Sequence, residues 1–264
     1  MMEYSNSQMT ANKESEVVQM FVRVINTGSQ PGNCYAIKSE SGEILLLDCG
    51  CRYPEILRGI SYRISDVSGC LLTHGHGDHL KSFKDLMQSG VQIYTNDETV
   101  KSVNTVSGEL MIGLPEKKSK DIGSFRATPF YVPHDKTPNF AYLISHEECG
   151  RLIYATDFSY LPFTFKNMRI NHFLIECNHL DESPEQDSFK FEHSIRGHSS
   201  LSTVKEIIRV NKTASLRTIT LCHLSEGWGN PEVMQEEIQD VAGDDVLVQI
   251  ARPGLDVDLN LCPF

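Results

Sequence analysis

Three imidazoles and a carboxylate fall within six residues of the segment Thr73-His74-Gly75-His76-Gly77-Asp78-His79, and that density constrains the chain more than any other feature. The run Val67-Ser68-Gly69-Cys70-Leu71-Leu72 before it reads as a buried strand, and Leu80, Phe83, Leu86 and Met87 after it follow a helical period. The segment is therefore expected on a strand-to-helix loop. From such a turn His74 and His76 can point one way and Asp78 and His79 the other, which suits two adjacent metal ions better than one. A His-rich loop can also be merely solvated, but this spacing at a strand end weighs against that reading.

One loop cannot close two coordination spheres, so other positions must contribute. His134 follows the apolar stretch Phe125 to Val132 and a Pro133 expected to stop it; Asp157 follows Leu152-Ile153-Tyr154-Ala155-Thr156; His223 follows Ile219-Thr220-Leu221-Cys222. Each comes at the end of a strand-like run, where loops on one edge of a sheet can converge.

With these residues in place, the sequence resembles the hydrolase branch of the metallo-β-lactamase superfamily over almost everything after about residue 20. The resemblance implies one metal held by His74, His76 and His134 and a second by Asp78, His79 and His223, with Asp157 bridging. Later strings narrow the branch: Leu174-Ile175-Glu176-Cys177-Asn178-His179, then Gly197-His198-Ser199-Ser200, then Leu221-Cys222-His223-Leu224-Ser225, with Gly28-Ser29-Gln30-Pro31-Gly32-Asn33-Cys34-Tyr35 near the start. These are similar to the phosphodiesterase side of the superfamily, including transfer-RNA 3′-processing nucleases, small single-domain bacterial exonucleases and phage anti-Pycsar enzymes that destroy cyclic mononucleotide signals.

Nitrogen and oxygen ligands of this kind suit two divalent ions per chain, zinc first and manganese as the alternative. Two ions roughly 3.5–4 Å apart can make a nucleophile of water at neutral pH and clamp a phosphoryl oxygen. Asp78 is expected to orient that water besides holding metal. Gly197-His198-Ser199-Ser200 precedes Leu201, Val204, Ile207 and Ile208 at helical spacing. His198 thus stands before a helix N-terminus, where amide groups and the helix dipole can receive phosphate oxygens and the imidazole can protonate a leaving oxygen. The plainer alternative is that Ser199 or Ser200 caps the helix and His198 is a surface residue.

Lys plus Arg number 24 and Asp plus Glu 35, a net charge of −11, and no long basic run offers a phosphate track. Extended nucleic-acid binding is disfavoured on that ground, and a small phosphodiester is preferred. The cysteines form no Cys-x-x-Cys pair. Cys49 and Cys51, flanking Gly50 beside Asp48, are expected as packed thiols rather than ligands. The N-terminal stretch lacks an apolar signal core and no run could span a membrane, so the cytoplasm is the expected compartment and no membrane partner is expected.

Residues 1–17 read as a polar arm and 18–264 as a single hydrolase domain. Strand-like runs lie at Phe21–Ile25, Tyr35–Ile37, Glu43–Asp48, Val91–Tyr94, Phe125–Val132, Phe140–Ile144, Leu152–Thr156, Phe173–Glu176, Arg217–Cys222 and Val246–Ile250, with helices at Leu201–Val210 and Pro231–Val241. The fold class is α/β; the expected architecture is the αββα sandwich of the resembled family, two mixed sheets face to face with outer helices. Thr95–Asp121 is either a lid or a surface excursion. Phe189 and Phe191 are core or base-stacking, His179 and His193 surface or supporting residues, and His146 and His172 carry no assigned role.

The expected activity is dinuclear metal-dependent phosphodiester hydrolysis of a cyclic nucleotide such as cyclic CMP or cyclic UMP. The resemblance to the phage enzymes extends this to a role against a cyclic-nucleotide antiviral defence and to a homodimer. The alternatives are a single-domain DNA or RNA exonuclease, and a metal-binding regulatory module without turnover.

Overall fold

Ile44-Leu45-Leu46-Leu47 has no polar residue, so a strand made of it must bury both faces. It does. In the computed structural model Leu45 and Leu47 join one core while Ile44 and Leu46 join another on the opposite side. The structure describes residues 19–103, 110–182 and 197–261. The expected arm over 1–17, and Phe189, Phe191 and His193, lie outside them.

Strands β1 (Phe21–Asn26), β2 (Cys34–Lys38), β3 (Ile44–Leu47), β4 (Val67–Leu71), β5 (Ile93–Thr95) and β6 (Met111–Gly113) form one sheet with β14 (Asp256–Asp258), in the order β14-β1-β2-β3-β4-β5-β6. The second sheet contains β7 (Lys120–Ile122), β8 (Phe125–His134), β9 (Thr137–His146), β10 (Gly150–Ala155), β11 (His172–Glu176), β12 (Thr218–Cys222) and β13 (Leu247–Ile250), in the order β13-β12-β11-β10-β9-β8-β7. Both sheets are mixed in the same way. From β14 to β3 neighbours run antiparallel and from β3 to β6 parallel; from β7 to β10 they run antiparallel and from β10 to β13 parallel.

The inner faces meet in a core that includes Val22, Tyr35, Leu47 and Leu71 from one sheet and Phe125, Phe140, Tyr142 and Tyr154 from the other. Helices α1 (Tyr53–Gly59) and α3 (Phe83–Gln88) cover the first sheet's outer face with Ile56, Phe83, Leu86 and Met87. Between them in sequence lies the short α2 (Gly77–Leu80), and α4 (Asp97–Val103) follows β5. Helices α5 (Leu201–Asn211) and α6 (Pro231–Ala242) cover the second sheet with Val204, Ile207, Ile208, Met234 and Ile238. Ser200 and Asn230 cap them by accepting from the amides of Thr203 and Val233. The αββα sandwich expected from the sequence is therefore the observed fold.

Three local expectations change. The helical period from Leu80 to Met87 is split between α2 and α3, because Ser82 is pinned to the loop after β3: its amide donates to the Cys49 carbonyl and its hydroxyl to that of Cys51. Pro133 does not end its strand. It lies opposite Pro138, with His134 opposite Thr137 at the hairpin end. No third strand needs an amide there, since β7 pairs only up to Ala127 and β10 reaches only Tyr142. Thr95–Asp121 is no free lid in its described part, which carries α4, β6 and the start of β7 and so crosses from one sheet's edge to the other's.

Candidate metal centre

Strands β3, β4, β10, β11 and β12 deliver their C-terminal ends to one rim of the sandwich, joined there by the β8–β9 hairpin. Asp48, Asp157 and His223 follow β3, β10 and β12, and all three adopt left-handed backbone, with φ of 54°, 54° and 51°. A residue with a side chain gives up roughly 1–2 kcal/mol there, least for Asp, Asn and His. The turn takes each side chain out of the strand's alternation and toward the rim. All three are buried.

Asp157 is the hinge of the centre. Its Oδ2 lies 3.9 Å from His74 Nε2 and 3.7 Å from His134 Nε2, while its Oδ1 lies 3.2 Å from His79 Nε2 and 3.6 Å from His223 Nε2. Asp78 Oδ2 stands 3.6 Å from both His79 Nε2 and His223 Nε2. Two constellations result, His74–His76–His134–Asp157 and Asp78–His79–Asp157–His223, each with donor atoms within 4.8 Å of one another. The structure thus brings together every metal ligand named from the sequence.

In all five imidazoles one nitrogen is anchored, which fixes the other. His79 Nδ1–H donates to Asp48 at 2.7 Å, His134 Nδ1–H to the Gly197 carbonyl at 2.7 Å and His223 Nδ1–H to Glu176 at 2.8 Å. Thr73 gives its hydroxyl proton to Asp48, so His74 Nδ1–H donates to Thr73 Oγ1 at 3.0 Å. His76 turns the other way, with Nε2 on Thr137 at 3.0 Å and Nδ1 3.2 Å from His134 Nε2. Such outer contacts hold rings for metal ligation.

The donor set fits divalent cations. His74 Nε2 is buried without a hydrogen-bond partner among the described residues, and the ring nitrogens of His76 and His134 face each other with no acceptor between them. A bound cation would satisfy all three. Burial and the neighbouring His79 hold His74 well below the usual histidine pKa, the neutral form a ligand needs. Burial is the largest single influence on His79 and His223 and opposes their charge, but the carboxylates together outweigh it: Asp157 and Asp48 at His79, and Asp157, Asp78 and Glu176 at His223. His79 goes well above the ordinary value and His223 to about 10. His76 is exposed and Asp78 half-buried, so the centre opens to solvent on their side.

Glu176 and His198 form a second device. His198 Nδ1–H donates to Glu176 Oε1 at 2.7 Å, and its ring stacks on that of His223 with centroids 5.2 Å apart. Against burial, which lowers it, the Glu176 carboxylate raises the His198 pKa; burial would raise that of Glu176, but His198 and His223 draw it down to about 2. Glu176, His198, His223 and Asp157 also lie close enough to form a third candidate metal group. Hydrogen bonding accounts for it: Glu176 Oε1 already accepts from both imidazoles.

The helix entry after His198 is not open to an anion. The amides of Ser199, Leu201, Ser202 and Thr203 donate to Glu176, the His179 carbonyl, Asp181 and Ser200. His198 itself lines a cavity of about 620 Å³ with Thr27–Pro31, Asn178 and Leu224–Trp228. Asp48 and Glu176 as ring anchors, and Trp228 beside the cavity, were not singled out from the sequence. An acidic residue closing an all-apolar strand, as in Leu45-Leu46-Leu47-Asp48 and Leu174-Ile175-Glu176, is the signal that finds the first two. Cys49 and Cys51 are packed thiols, as expected. His146, His172 and His179 are buried, the first two against Ser124 and Thr218.

Residues 45–224 match the family model described as the beta-lactamase superfamily domain. With that match over more than half its length, the chain belongs to the metallo-β-lactamase-fold family and is a metal-dependent hydrolase. It is 27% identical over 166 residues to the exodeoxyribonuclease YycJ of Bacillus anthracis, covering 59% of this chain and 62% of that one. It is 24% identical over 255 residues to the exodeoxyribonuclease WalJ of Streptococcus pneumoniae serotype 2, covering 90% of each. The metallo-β-lactamase-fold protein YhfI of Bacillus subtilis superposes with a TM-score of 0.71 at 21% identity, over 90% of this chain and 98% of that one.

Proposed function

We propose that the chain is a dinuclear phosphodiesterase whose substrate is a cyclic nucleotide such as cyclic CMP or cyclic UMP. The observation that carries the dinuclear reading is Asp157, whose two oxygens face two separate sets of nitrogen and oxygen donors. One cation is assigned to His74, His76, His134 and Asp157, the other to Asp78, His79, Asp157 and His223, with zinc first and manganese second. When bound, such cations supply Lewis acidity that lowers the pKa of water and offsets phosphoryl charge.

The side chains supply the rest. Asp78, half-buried at the open side, accepts from and aligns the attacking water. His198, whose Nδ1–H donates to Glu176 and whose pKa that carboxylate raises, donates to the departing oxygen beside the cavity. For a cyclic diester that oxygen stays attached to the sugar, so the product is a nucleoside monophosphate.

The small-substrate reading is supported by the net charge of −11 and by a cavity whose lining includes Glu226 but neither Lys nor Arg. The exonuclease reading is comparably supported, because the Bacillus and Streptococcus relatives described above are named exodeoxyribonucleases. Cyclic nucleotides, single-stranded DNA and RNA should be compared with product identification. Release of 5′-CMP or 5′-UMP with little oligonucleotide cleavage is expected; processive degradation of DNA without cyclic-nucleotide turnover selects the exonuclease.

The proposal extends to an anti-defence role, to residues 18–264 acting as one hydrolase domain behind the arm, and to a cytoplasmic homodimer that light scattering would detect. No helix among the described residues is long and apolar enough to cross a membrane.

A further inference from the structure

We propose that Asn178 is a specificity-determining residue: its side-chain carbonyl accepts a hydrogen bond from a hydroxyl, amino or imino group on the nucleoside part of the substrate. The inference rests on the phosphodiesterase reading above.

Asn178 is tied to the centre and to the cavity at once. Its backbone N–H donates to the Ser199 carbonyl at 2.9 Å and its carbonyl accepts from the Ser225 amide at 2.8 Å, which locks it between the His198 and His223 loops. Its Nδ2 donates to the His223 carbonyl at 2.9 Å. That bond decides the amide's orientation, because the opposite assignment would set two oxygens against each other.

The remaining atom, Oδ1, has no partner among the described residues, although Asn178 is only 5% exposed. Leaving a buried carbonyl unpaired costs about 1–3 kcal/mol, and native structures rarely do so without a ligand or water to complete it. Asn178 lines the cavity of about 620 Å³ beside His198.

The chemistry of the missing partner follows. An amide oxygen accepts only, so it cannot hold a phosphate oxygen; it needs an O–H or N–H. With Glu226 on the lining and neither Lys nor Arg, the cavity does not suit additional phosphates, while Pro31, Leu224 and Trp228 offer apolar surface to a sugar or base. The nucleoside fits this space, with one of its donors on Asn178.

The test compares bis(4-nitrophenyl) phosphate, which carries no donor, with the 4-nitrophenyl ester of thymidine 5′-phosphate, which carries a 3′-hydroxyl and a base N–H. Asn178→Ala, with its metal content measured, should lose at least tenfold more kcat/KM on the thymidine ester than on the donor-free diester. Equal losses would mean that Asn178 acts only by bracing His223, and no loss would mean that Oδ1 meets no substrate; either overturns the proposal. The 3′-deoxy ester and the base-free sugar ester then separate the two donors, since the one that meets Asn178 is the one whose removal abolishes the variant's extra loss. If the variant does not fold, the wild-type enzyme decides: deleting the recognised donor should itself lower kcat/KM about tenfold, and indifference to both deletions refutes the inference. Failure of the wild type on both diesters would overturn the phosphodiesterase reading and this inference with it.

Discussion

Replacing Glu176 by Gln changes the candidate centre without changing its shape. Oε1 accepts from His198 Nδ1 at 2.7 Å and His223 Nδ1 at 2.8 Å; Oε2 accepts from the amides of Phe158 at 3.2 Å and Ser199 at 3.1 Å. Whichever way a Gln amide is turned, its NH2 meets donors where an acceptor stood. The drop of the Glu176 pKa from 4.5 to about 2 corresponds to about 3 kcal/mol in favour of the charged form in this fully buried position. Because the folded pKa is depressed, that stability is present above about pH 4.5 and is lost as pH falls through about 2. Glu176→Gln should therefore destabilise the metal-free protein by about 3 kcal/mol at neutral pH. Its effect on catalysis has its own sign. His198 acts as an acid only while protonated, so activity falls as pH rises through its pKa, and Glu176 is what raises that pKa above the ordinary value. Without the carboxylate the alkaline limb of the kcat profile should move to lower pH. Stopped assays on cyclic CMP across pH 5–10, alongside chemical denaturation, read both quantities. An alkaline limb at the wild-type pH would refute the assignment of His198 as the acid held by Glu176.

His198→Ala should keep its metals yet lose 10²–10⁴ in kcat; metal loss measured by elemental analysis would make His198 a ligand instead, and an unchanged rate would leave it no part in the reaction. At Gly50 an added Cβ would stand 1.6 Å from the Asp78 carbonyl oxygen and 2.7 Å from the His79 amide nitrogen, so the loop carrying both must move. Gly50→Ala is expected to cost about 2 kcal/mol or more, a fall of about 5 °C in Tm, and to weaken metal retention. A melting curve and metal content like the wild type would contradict that packing.

Much of this arrangement can be read from the chain. The candidate ligands in Thr73–His79 are neighbours in sequence, and His134, Asp157 and His223 announce themselves by following runs with the hydrophobic signature of strands. The short strands β6, β7 and β14 have three residues each, too few for alternation to register, and their neighbours in the sheets define them. Likewise Asp48 and Glu176 look like ordinary strand-ending acids until the fold sets His79 against one and His198 and His223 against the other. The anion site expected at the start of α5 failed for a similar reason: Asp181, 21 positions before Ser202, is folded back onto that helix end. Local signals located the residues that converge on the candidate centre, whereas partners distant in sequence decide which groups are anchored, capped or left open.

Elemental analysis of gently purified protein, read beside its turnover of bis(4-nitrophenyl) phosphate and repeated on Asp157→Ala, tests the shared carboxylate most directly. The wild type should hold close to two transition metals per chain and lose its activity to EDTA, and the variant should lose both metal retention and activity, because Asp157 faces both donor sets. A wild type with one metal and full activity, or an Asp157→Ala protein that holds two metals and turns over normally, would contradict that shared role.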